Sequence, residues 1–373
     1  MNLRPRILLL IPHLDGGGAE KILALLAREL SRDKYELHLG IVTGSKPPTG
    51  TFPPGVTIHL LGVARVRSAA FGVLGLVHRL KPQAIVSGMF HLNFLVLLLR
   101  PLFPRGTRVL VRQNGFVSAS LAQDGLPAST RLLYRLLYRY ADRVICQTQA
   151  MANDLAQMLN VEQVRVAVLF NPVDVEAIRA VMASNEGKWT RDGPHLLAVG
   201  RLSREKGFDL LLEAFQSVRK CFPSADLLIA GAGQDEAALK ALCHALDLDS
   251  AVQFAGYVEC PSAYFSGASL FVLSSRHEGM PNAMLEAAAG GLPLVALPAV
   301  GGVADLLRGQ PGVWLAKEIS ATALAAGLQE ALAALEPGQR YTHAFIDRFR
   351  MDRAVRAYEE LIDNAIREDQ AAV

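Results

Sequence analysis

The stretch Ser274–Ala296, SSRHEGMPNAMLEAAAGGLPLVA, decides how the rest of the chain is read. It sets Glu278 and Glu286 eight residues apart, with Gly279, Met280, Pro281 and Asn282 directly after the first. A helix, AMLEAAAGG, and an apolar strand, PLVAL, follow. Pro281 fits the first turn of that helix, because the amide hydrogen it lacks would have no partner there. The amides from Met280 to Ala283 are then placed to face an anion. Glu278, on the loop, is placed to reach a ligand's sugar hydroxyls, and Glu286, within the first two turns, to accept hydrogen bonds from a ribose diol at the same mouth. A single glutamate of this kind is a surface acid or a helix cap. Two that flank this turn point to a binding site.

Upstream, LLAVGRLSREKGFDLLLEAF reads as a strand ending at Gly200, a turn carrying Arg201 and Lys206, and a helix beginning near Gly207. Two cations at the carboxyl edge of a strand, beside a helix N-terminus, make a seat for a diphosphate. Alone, such a pair is two solvated loop charges; the glutamates downstream give it weight.

Around these motifs strands and helices alternate. RILLLI (6–11) is a buried strand, followed by a Gly-rich turn and a helix from about Ala19 to Ser31 with Ile22, Leu23, Leu26 and Leu30 on one face. The strands ELHLGIV, AIVSGM, RVLVRQ and RVICQT follow, in the βαβ grammar of a parallel sheet. The Pro-rich and polar passage LFNPVDVEAIRAVMASNEGKWTRDGP reads as a linker. The alternation then restarts at HLLAVG and continues through ADLLIAG, VQFAG, LFVLSS and PLVAL. Gly-containing turns fall at the carboxyl ends of strands, where open α/β sheets gather ligands.

At 373 residues and 51% hydrophobic content the chain has room for two globular domains. Its four cysteines show no metal-ligand spacing, and reduced, partly buried thiols in a cytosolic protein are expected. The opening MNLRPRILLLIPHL imitates a signal peptide, but its apolar run is short and Pro12 and a glycine triplet follow, so a first strand is expected. Leu92–Leu99 is far below the roughly 18–20 residues that span a bilayer. The net charge of +3 hides a split: residues 1–170 hold 20 basic against 9 acidic side chains, and the remainder 18 against 26. From Leu37 to Gln123 no acidic residue occurs, so the first half is suited to an anionic surface or a phosphate-bearing ligand.

GRLSREKGFDLLLEAF followed by SSRHEGMPNAMLEAAAGGLPLVA resembles the donor half of the retaining GT-B glycosyltransferases of family 4, with its G-R…K-G and E-x7-E motifs. HLDGGGAEKILALLA resembles that family's G-G-A-E loop, and NPVD (171–174) its interdomain junction; the likeness covers essentially the whole chain. It implies an α/β fold of the GT-B type: two Rossmann-like α/β/α domains facing a central cleft. Residues 1–170 would form the acceptor-side domain, 171–345 the nucleotide-sugar domain, and 346–373 a C-terminal helix crossing back to the first. The same likeness implies that Arg201 and Lys206 hold the nucleotide diphosphate and that Glu278 meets the donor sugar near the reacting centre. Gly279, Met280, Pro281, Asn282 and Leu285 would supply close contacts, Glu286 would hold the ribose, and Val258, in Gly256-Tyr257-Val258, would line the base. The phosphate charge would be met by arginine, lysine and helix dipoles, so no metal site and no cofactor beyond the donor are expected.

In the first half, Gly17 and Gly18 close the glycine triplet at the end of the first strand, and their amides can approach a phosphate. A lone glycine triplet is otherwise a flexible turn. His91, in SGMFHLNFL beyond AIVSG, sits at another carboxyl edge, and the resemblance gives it a catalytic place at the donor sugar or acceptor. Asn114, after VLVRQ, is a candidate acceptor contact. RLLYRLLYRYADR puts Arg131, Arg135 and Arg139 on one helical stripe; an ordinary helix of this kind packs its leucines inward, but the basic stripe with Tyr134 and Tyr138 also suits an anionic interface. The expected function is transfer of a hexose or N-acetylhexosamine from a UDP-linked donor to a lipid-linked or surface-polysaccharide acceptor, in lipopolysaccharide or polysaccharide biosynthesis. The expected location is cytoplasmic, peripheral on the inner membrane surface, with no nucleic-acid partner. A UDP-sugar 2-epimerase of the same fold and a non-catalytic scaffold are the alternatives. A dinucleotide oxidoreductase would need G-x-G-x-x-G, which PHLDGGGAEKI lacks.

Overall fold

The computed structural model describes residues 4–14, 18–44, 52–118, 128–159, 162, 165–185, 189 and 192–370. Gly17 lies outside them. The chain divides into two compact units: residues 1–172 with 352–373, and residues 173–351.

In the first unit seven parallel strands lie in the order β3-β2-β1-β4-β5-β6-β7. They are β1 Arg6–Ile11, β2 Glu36–Ile41, β3 Val56–Leu60, β4 Ala84–Gly88, β5 Arg108–Arg112, β6 Arg143–Cys146 and β7 Val166–Val168. Ile7 to Ile11 have no exposed surface at all, as expected of a central strand covered on both faces. Helices α1 Gly18–Glu29, α2 Ala70–Leu80, α3 Phe90–Leu99, α4 Ala128–Tyr138 and α5 Gln149–Leu159 supply the crossovers. The two edge strands, β3 and β7, escape the sequence reading: neither has a fully buried position, and β3 carries polar Thr57 and His59 while β7 is three residues long.

The second unit repeats the design with six parallel strands in the order β10-β9-β8-β11-β12-β13. Its elements are α6 Val175–Ser184, β8 His195–Val199, α7 Phe208–Cys221, β9 Asp226–Ala230, α8 Glu236–Ala245, β10 Val252–Gly256, β11 Leu270–Leu273, α9 Asn282–Ala289, β12 Leu294–Ala296, α10 Val303–Leu307, β13 Val313–Leu315 and α11 Ala321–Ala334.

Two expectations are corrected here. The passage read as a linker contains α6, whose start is fixed by Asp174: its carboxylate accepts from the Ala177 amide at 2.9 Å, a side-chain N-cap. The C-terminal helix does not begin near Phe345. Ala344–Phe349 is a separate 3-10 turn of the second unit, and the helix, α12, runs from Met351 to Gln370.

From Asp352 onward α12 belongs to the first unit. Tyr358, Ile362 and Ala365 are buried along one face. Beside them Glu359 accepts from the Ser31 amide at 2.9 Å and from Lys34 Nζ at 2.8 Å, and Asp363 accepts from the Tyr35 hydroxyl at 2.6 Å. Burial, and then this carboxylate, push the Tyr35 phenol far above its usual range, so it stays a donor. Cys146 and Cys243 are buried thiols, whereas Cys221 and Cys260 are exposed rather than partly buried. Burial pushes the Cys146 thiol up to about 12. No helix among the described residues is long and apolar enough to cross a membrane.

Candidate functional site

Two loops at carboxyl ends of the second sheet carry the predicted residues. The first leaves β8 at Gly200, passes Arg201, turns through Arg204–Lys206 and enters α7 at Gly207. Gly207 has φ +64, and a Cβ there would lie 2.1 Å from the Ser274 carbonyl oxygen, so only glycine fits. Gly231, at the end of β9, packs as closely: its Cβ would fall 1.8 Å from the Gly200 oxygen. Backbone therefore meets backbone, and the 200–207 loop is held between its neighbours.

The second loop leaves β11 through Ser274 and Ser275, and here the structure joins two residues that the sequence assigned to different parts of a ligand. Lys206 Nζ lies 2.7 Å from Glu278 Oε1. The Ser275 hydroxyl donates to the same oxygen at 2.7 Å, and the Ser274 hydroxyl donates to the Lys206 carbonyl at 2.8 Å. Glu278 is 6% exposed, so this is a largely desolvated carboxylate with two donors on one oxygen. Neighbouring Arg276 grips Asp209 with two bonds of 2.7 Å and donates to the Arg204 carbonyl at 2.9 Å, tying both loops together. Burial works to raise the Asp209 carboxyl, but the hydrogen bonds and charge of Arg276 outweigh it and hold the group below its usual value. Sequence reasoning missed Ser274, Ser275 and Arg276. Their signal was available as polar residues crowded between an apolar strand and a glutamate.

Arg201 stands apart. It is exposed, and its guanidinium makes no hydrogen bond or ion pair with a described residue. Beyond Glu278 come Gly279, Met280 and Pro281, then α9 from Asn282. Pro281 is the N-cap rather than the first helical residue, one position earlier than expected, and no side chain caps this end. The first amides of α9 have no partner within the helix. Leu285 is fully buried, so its side chain serves the core and its backbone is the part left for a ligand. Glu286, the fifth residue of α9, is partly exposed. Val258 lies half-buried two residues past the end of β10.

In the first unit His91 and Asn114 occupy the carboxyl ends of adjacent strands, β4 and β5. Met89 caps α3 with φ +74, and Asn114 Nδ2 points to its sulfur at 3.5 Å. His91 follows in the first turn of that helix. The packing around its ring lowers its pKa, Glu20 working against this and His13 with it, so the imidazole is neutral at physiological pH. Glu20 is 3% exposed and its carboxylate lies 3.8 Å from His13 Nε2. Gly18, which opens α1, is exposed.

On α4, of the two readings of the helix, inward packing of the leucines holds for Leu137 alone among Leu132, Leu133, Leu136 and Leu137. Tyr134 and Tyr138 are fully buried with Leu137, while Leu132 (59%), Leu133 (40%) and Leu136 (40%) face outward. Tyr134 fills the space under Phe90, its ring centroid 4.2 Å away. Arg135 and Arg139 are exposed on the same helix region, and the side chain of Arg131 lies outside the described residues.

Two family models match the chain: "Glycosyl transferase 4-like domain" over residues 17–172 and "Glycosyl transferases group 1" over residues 193–334. The chain belongs to the group 1 glycosyltransferases of family 4, and its fold is GT-B. Among curated relatives of this glycosyltransferase, an uncharacterized glycosyltransferase of Haemophilus influenzae is 36% identical over 36% of this chain and 38% of its own length. The amylovoran biosynthesis glycosyltransferase AmsD of Erwinia amylovora is 24% identical over 81% of this chain and 84% of its own. The N-acetylgalactosamine-N,N'-diacetylbacillosaminyl-diphospho-undecaprenol 4-alpha-N-acetylgalactosaminyltransferase of Campylobacter jejuni is 26% identical over 75% and 77%. Thus the match spans under half of the first relative's length. Among solved structures, sucrose-phosphate synthase of Thermosynechococcus elongatus superposes with a TM-score of 0.81 at 18% identity, covering 99% of this chain and all of that one. Anabaena HepE in complex with UDP and glucose gives 0.76 at 17%, covering 97% and 100%.

Proposed function

We propose that this glycosyltransferase moves a hexose or N-acetylhexosamine from a UDP-linked donor to a lipid-linked or surface-polysaccharide acceptor, with retention of configuration. The observation that carries the reading is the second unit's site: an unengaged guanidinium at Arg201, an ammonium at Lys206 and a helix end without a side-chain cap, beside the buried Glu278 carboxylate. Such a set suits a sugar joined to a diphosphate. The names of the relatives support the same class: one solved structure holds UDP and glucose, and one curated relative acts on a diphospho-undecaprenol acceptor.

In this reading the bond from the anomeric carbon to the donor's phosphate oxygen breaks, and the bonding pair leaves with the diphosphate. Arg201, Lys206 and the α9 amides stabilise that growing charge as an oxyanion hole does, with no divalent metal needed for neutralisation. The acceptor hydroxyl attacks from the same face and its proton passes to the leaving phosphate oxygen. Glu278 meets the donor sugar and Glu286 its ribose, with Gly279, Met280, Pro281 and Asn282 close by and Val258 against the base. In the first unit, Gly17, Gly18 and His91 act at the reacting end of the donor and Asn114 at the acceptor. The chain would work in the cytoplasm, peripheral on the membrane's inner face, through the outward leucines and arginines of α4.

The test is a nucleotide-sugar panel read by thermal shift, followed by transfer assays with lipid-linked acceptors, with and without EDTA. UDP-sugars should raise the melting temperature of the wild type but not of Arg201→Ala, and UDP release should depend on acceptor. UDP and a 2-epimerised sugar appearing without acceptor would assign a same-fold epimerase instead.

A further inference from the structure

Arg112, the last residue of β5, is 1% exposed, and nothing in the mechanism above uses it. Its guanidinium donates from Nε to the Tyr358 hydroxyl at 3.1 Å, and from its two terminal nitrogens to Asn114 Oδ1 and Asn171 Oδ1. All three partners are neutral. Among the described residues no carboxylate lies within ion-pair distance of it; Asp154, on nearby α5, is committed to the Val117 and Ser118 amides at 2.7 and 3.1 Å. A buried cation without a counter-charge is costly, and proteins that keep one have something for it to do.

The geometry dictates how that charge is felt at the surface. A guanidinium only donates, so Asn114 has to turn its oxygen inward, and the amide assignment follows from chemistry rather than from atom labels. Its nitrogen then faces away from Arg112, onto the Met89 sulfur at 3.5 Å, which is a weak acceptor. Asn114 is partly exposed where Arg112 is not. The amide thus couples a buried positive charge to an N–H donor beside Met89, polarised by the bond behind it. No acidic residue occurs in the sequence from Leu37 to Gln123; the carboxylate the structure brings near, Asp154, is held by the two amides named above.

We propose that Arg112 and Asn114 form a phosphate seat in the first unit: Asn114 Nδ2 donates to a phosphate oxygen, and Arg112 fixes the amide's direction and supplies the charge. The proposal rests on the functional reading above only for the owner of the phosphate, which is either a lipid-linked acceptor or the nucleotide donor. Arg112 is a positioning residue here and Asn114 the contact.

Asn114→Asp separates the possibilities, because the new carboxylate pairs directly with Arg112 while replacing the outward donor by a repelling oxygen. The full chain is titrated by calorimetry with pyrophosphate, farnesyl diphosphate and UDP, and melted in parallel. The expected result is a melting temperature equal to or above wild type, with at least a tenfold loss of affinity for one diphosphate probe. A loss for farnesyl diphosphate alone assigns the seat to the acceptor, and a loss for UDP assigns it to the donor. Wild-type affinity of Asn114→Asp for all three probes overturns the seat, as does failure of the wild type to bind any of them. Failure of Asn114→Asp to fold overturns it too, since the argument requires an aspartate to satisfy Arg112. If Arg201→Ala abolishes farnesyl diphosphate binding and Asn114→Asp does not, the probe sits in the second unit and the seat is refuted. Should the wild type bind pyrophosphate but no nucleotide sugar, the functional reading fails alone, and Asn114→Asp still decides the seat.

Discussion

Lys206 and Glu278 are joined by a 2.7 Å ion pair, 72 residues apart in sequence, with the glutamate buried and the lysine a quarter exposed. If the diphosphate takes Lys206, it does so in competition with Glu278, and Ser275 then becomes the glutamate's remaining holder. Removing the competitor should therefore help a ligand that has a diphosphate but no sugar. Glu278→Gln is expected to bind UDP more tightly than wild type, by about tenfold for ~1.4 kcal/mol of released pairing, while losing transfer by orders of magnitude. Lys206→Ala leaves a largely buried carboxylate short of a donor, and should lower stability by about 1–3 kcal/mol and weaken UDP binding. Calorimetry with UDP checks both. Equal UDP affinity in Glu278→Gln would show that the ion pair does not restrain Lys206.

Gly207 offers a second handle on the same loop. An alanine there would adopt a left-handed backbone and press on the Ser274 carbonyl, 2.1 Å from its Cβ. The conformation alone costs about 1–2 kcal/mol, and the collision forces the Arg204–Lys206 turn to shift. Gly207→Ala should thus melt earlier and bind UDP at least several-fold more weakly. A control at Gly338, which has φ +74 but open space around its Cβ, carries the backbone penalty without the collision and should leave UDP binding unchanged.

Much of this was legible in the sequence, and the reason is physical. Central strands are buried on both faces, so RILLLI, HLLAV and LFVL announce themselves as apolar runs, and the carboxyl ends of the last two locate Arg201, Lys206 and Glu278. Edge strands β3 and β13 lack that signal, and α6 was hidden by the prolines and polar residues around it. Which face of α4 turns inward could not be read from leucines alone. Tyr134 and Tyr138 compete for the same core, and the larger side chains take it. Pairings such as Lys206 with Glu278, or Arg112 with Asn114, depend on loops converging in space, and periodicity carries no trace of them.

The edge of the first sheet holds a pH-sensitive chain of hydrogen bonds. Arg79 donates to His59 Nδ1 at 3.3 Å, His59 Nε2 to His38 Nδ1 at 3.1 Å, and His38 Nε2 to Glu36 Oε1 at 3.2 Å, while Arg6 Nε donates to the other Glu36 oxygen at 3.2 Å. This order makes each imidazole neutral, with its proton on Nε2. Burial lowers both pKa values from 6.5, with Arg79 adding to the effect on each and Glu36 opposing it on His38. The folded chain then holds fewer protons than the unfolded one below about pH 6.5, so the stability these histidines contribute is present above that value and is lost as pH falls through the lowered values. His59→Gln keeps a donor for His38 and an acceptor for Arg79 but cannot titrate. Its melting temperature should fall less than that of wild type between pH 6.5 and pH 5. An unchanged slope would remove His59 from the account.

Membrane attachment makes the remaining prediction. Leu132, Leu133 and Leu136 expose apolar surface (59%, 40% and 40%), and Leu98 in neighbouring α3 and Leu102 just beyond it are 53% and 57% exposed. Arg135 and Arg139 stand among them, Arg139 lying 5.1 Å over the Tyr140 ring. Apolar side chains at that density with cations beside them match an interfacial helix, which gains both from burial in the acyl boundary and from anionic headgroups. Wild-type protein should co-sediment with vesicles containing anionic lipid and much less with neutral ones, and salt should reverse part of the binding. Serine at 132, 133 and 136 should reduce partitioning by well over tenfold, since each buried leucine contributes about 1.5–3 kcal/mol. Because those side chains already face outward, the variant should melt at or above the wild-type temperature. Had the leucines formed part of the core, the triple substitution would unfold the first unit instead, so melting and sedimentation together separate an interface from a packing face.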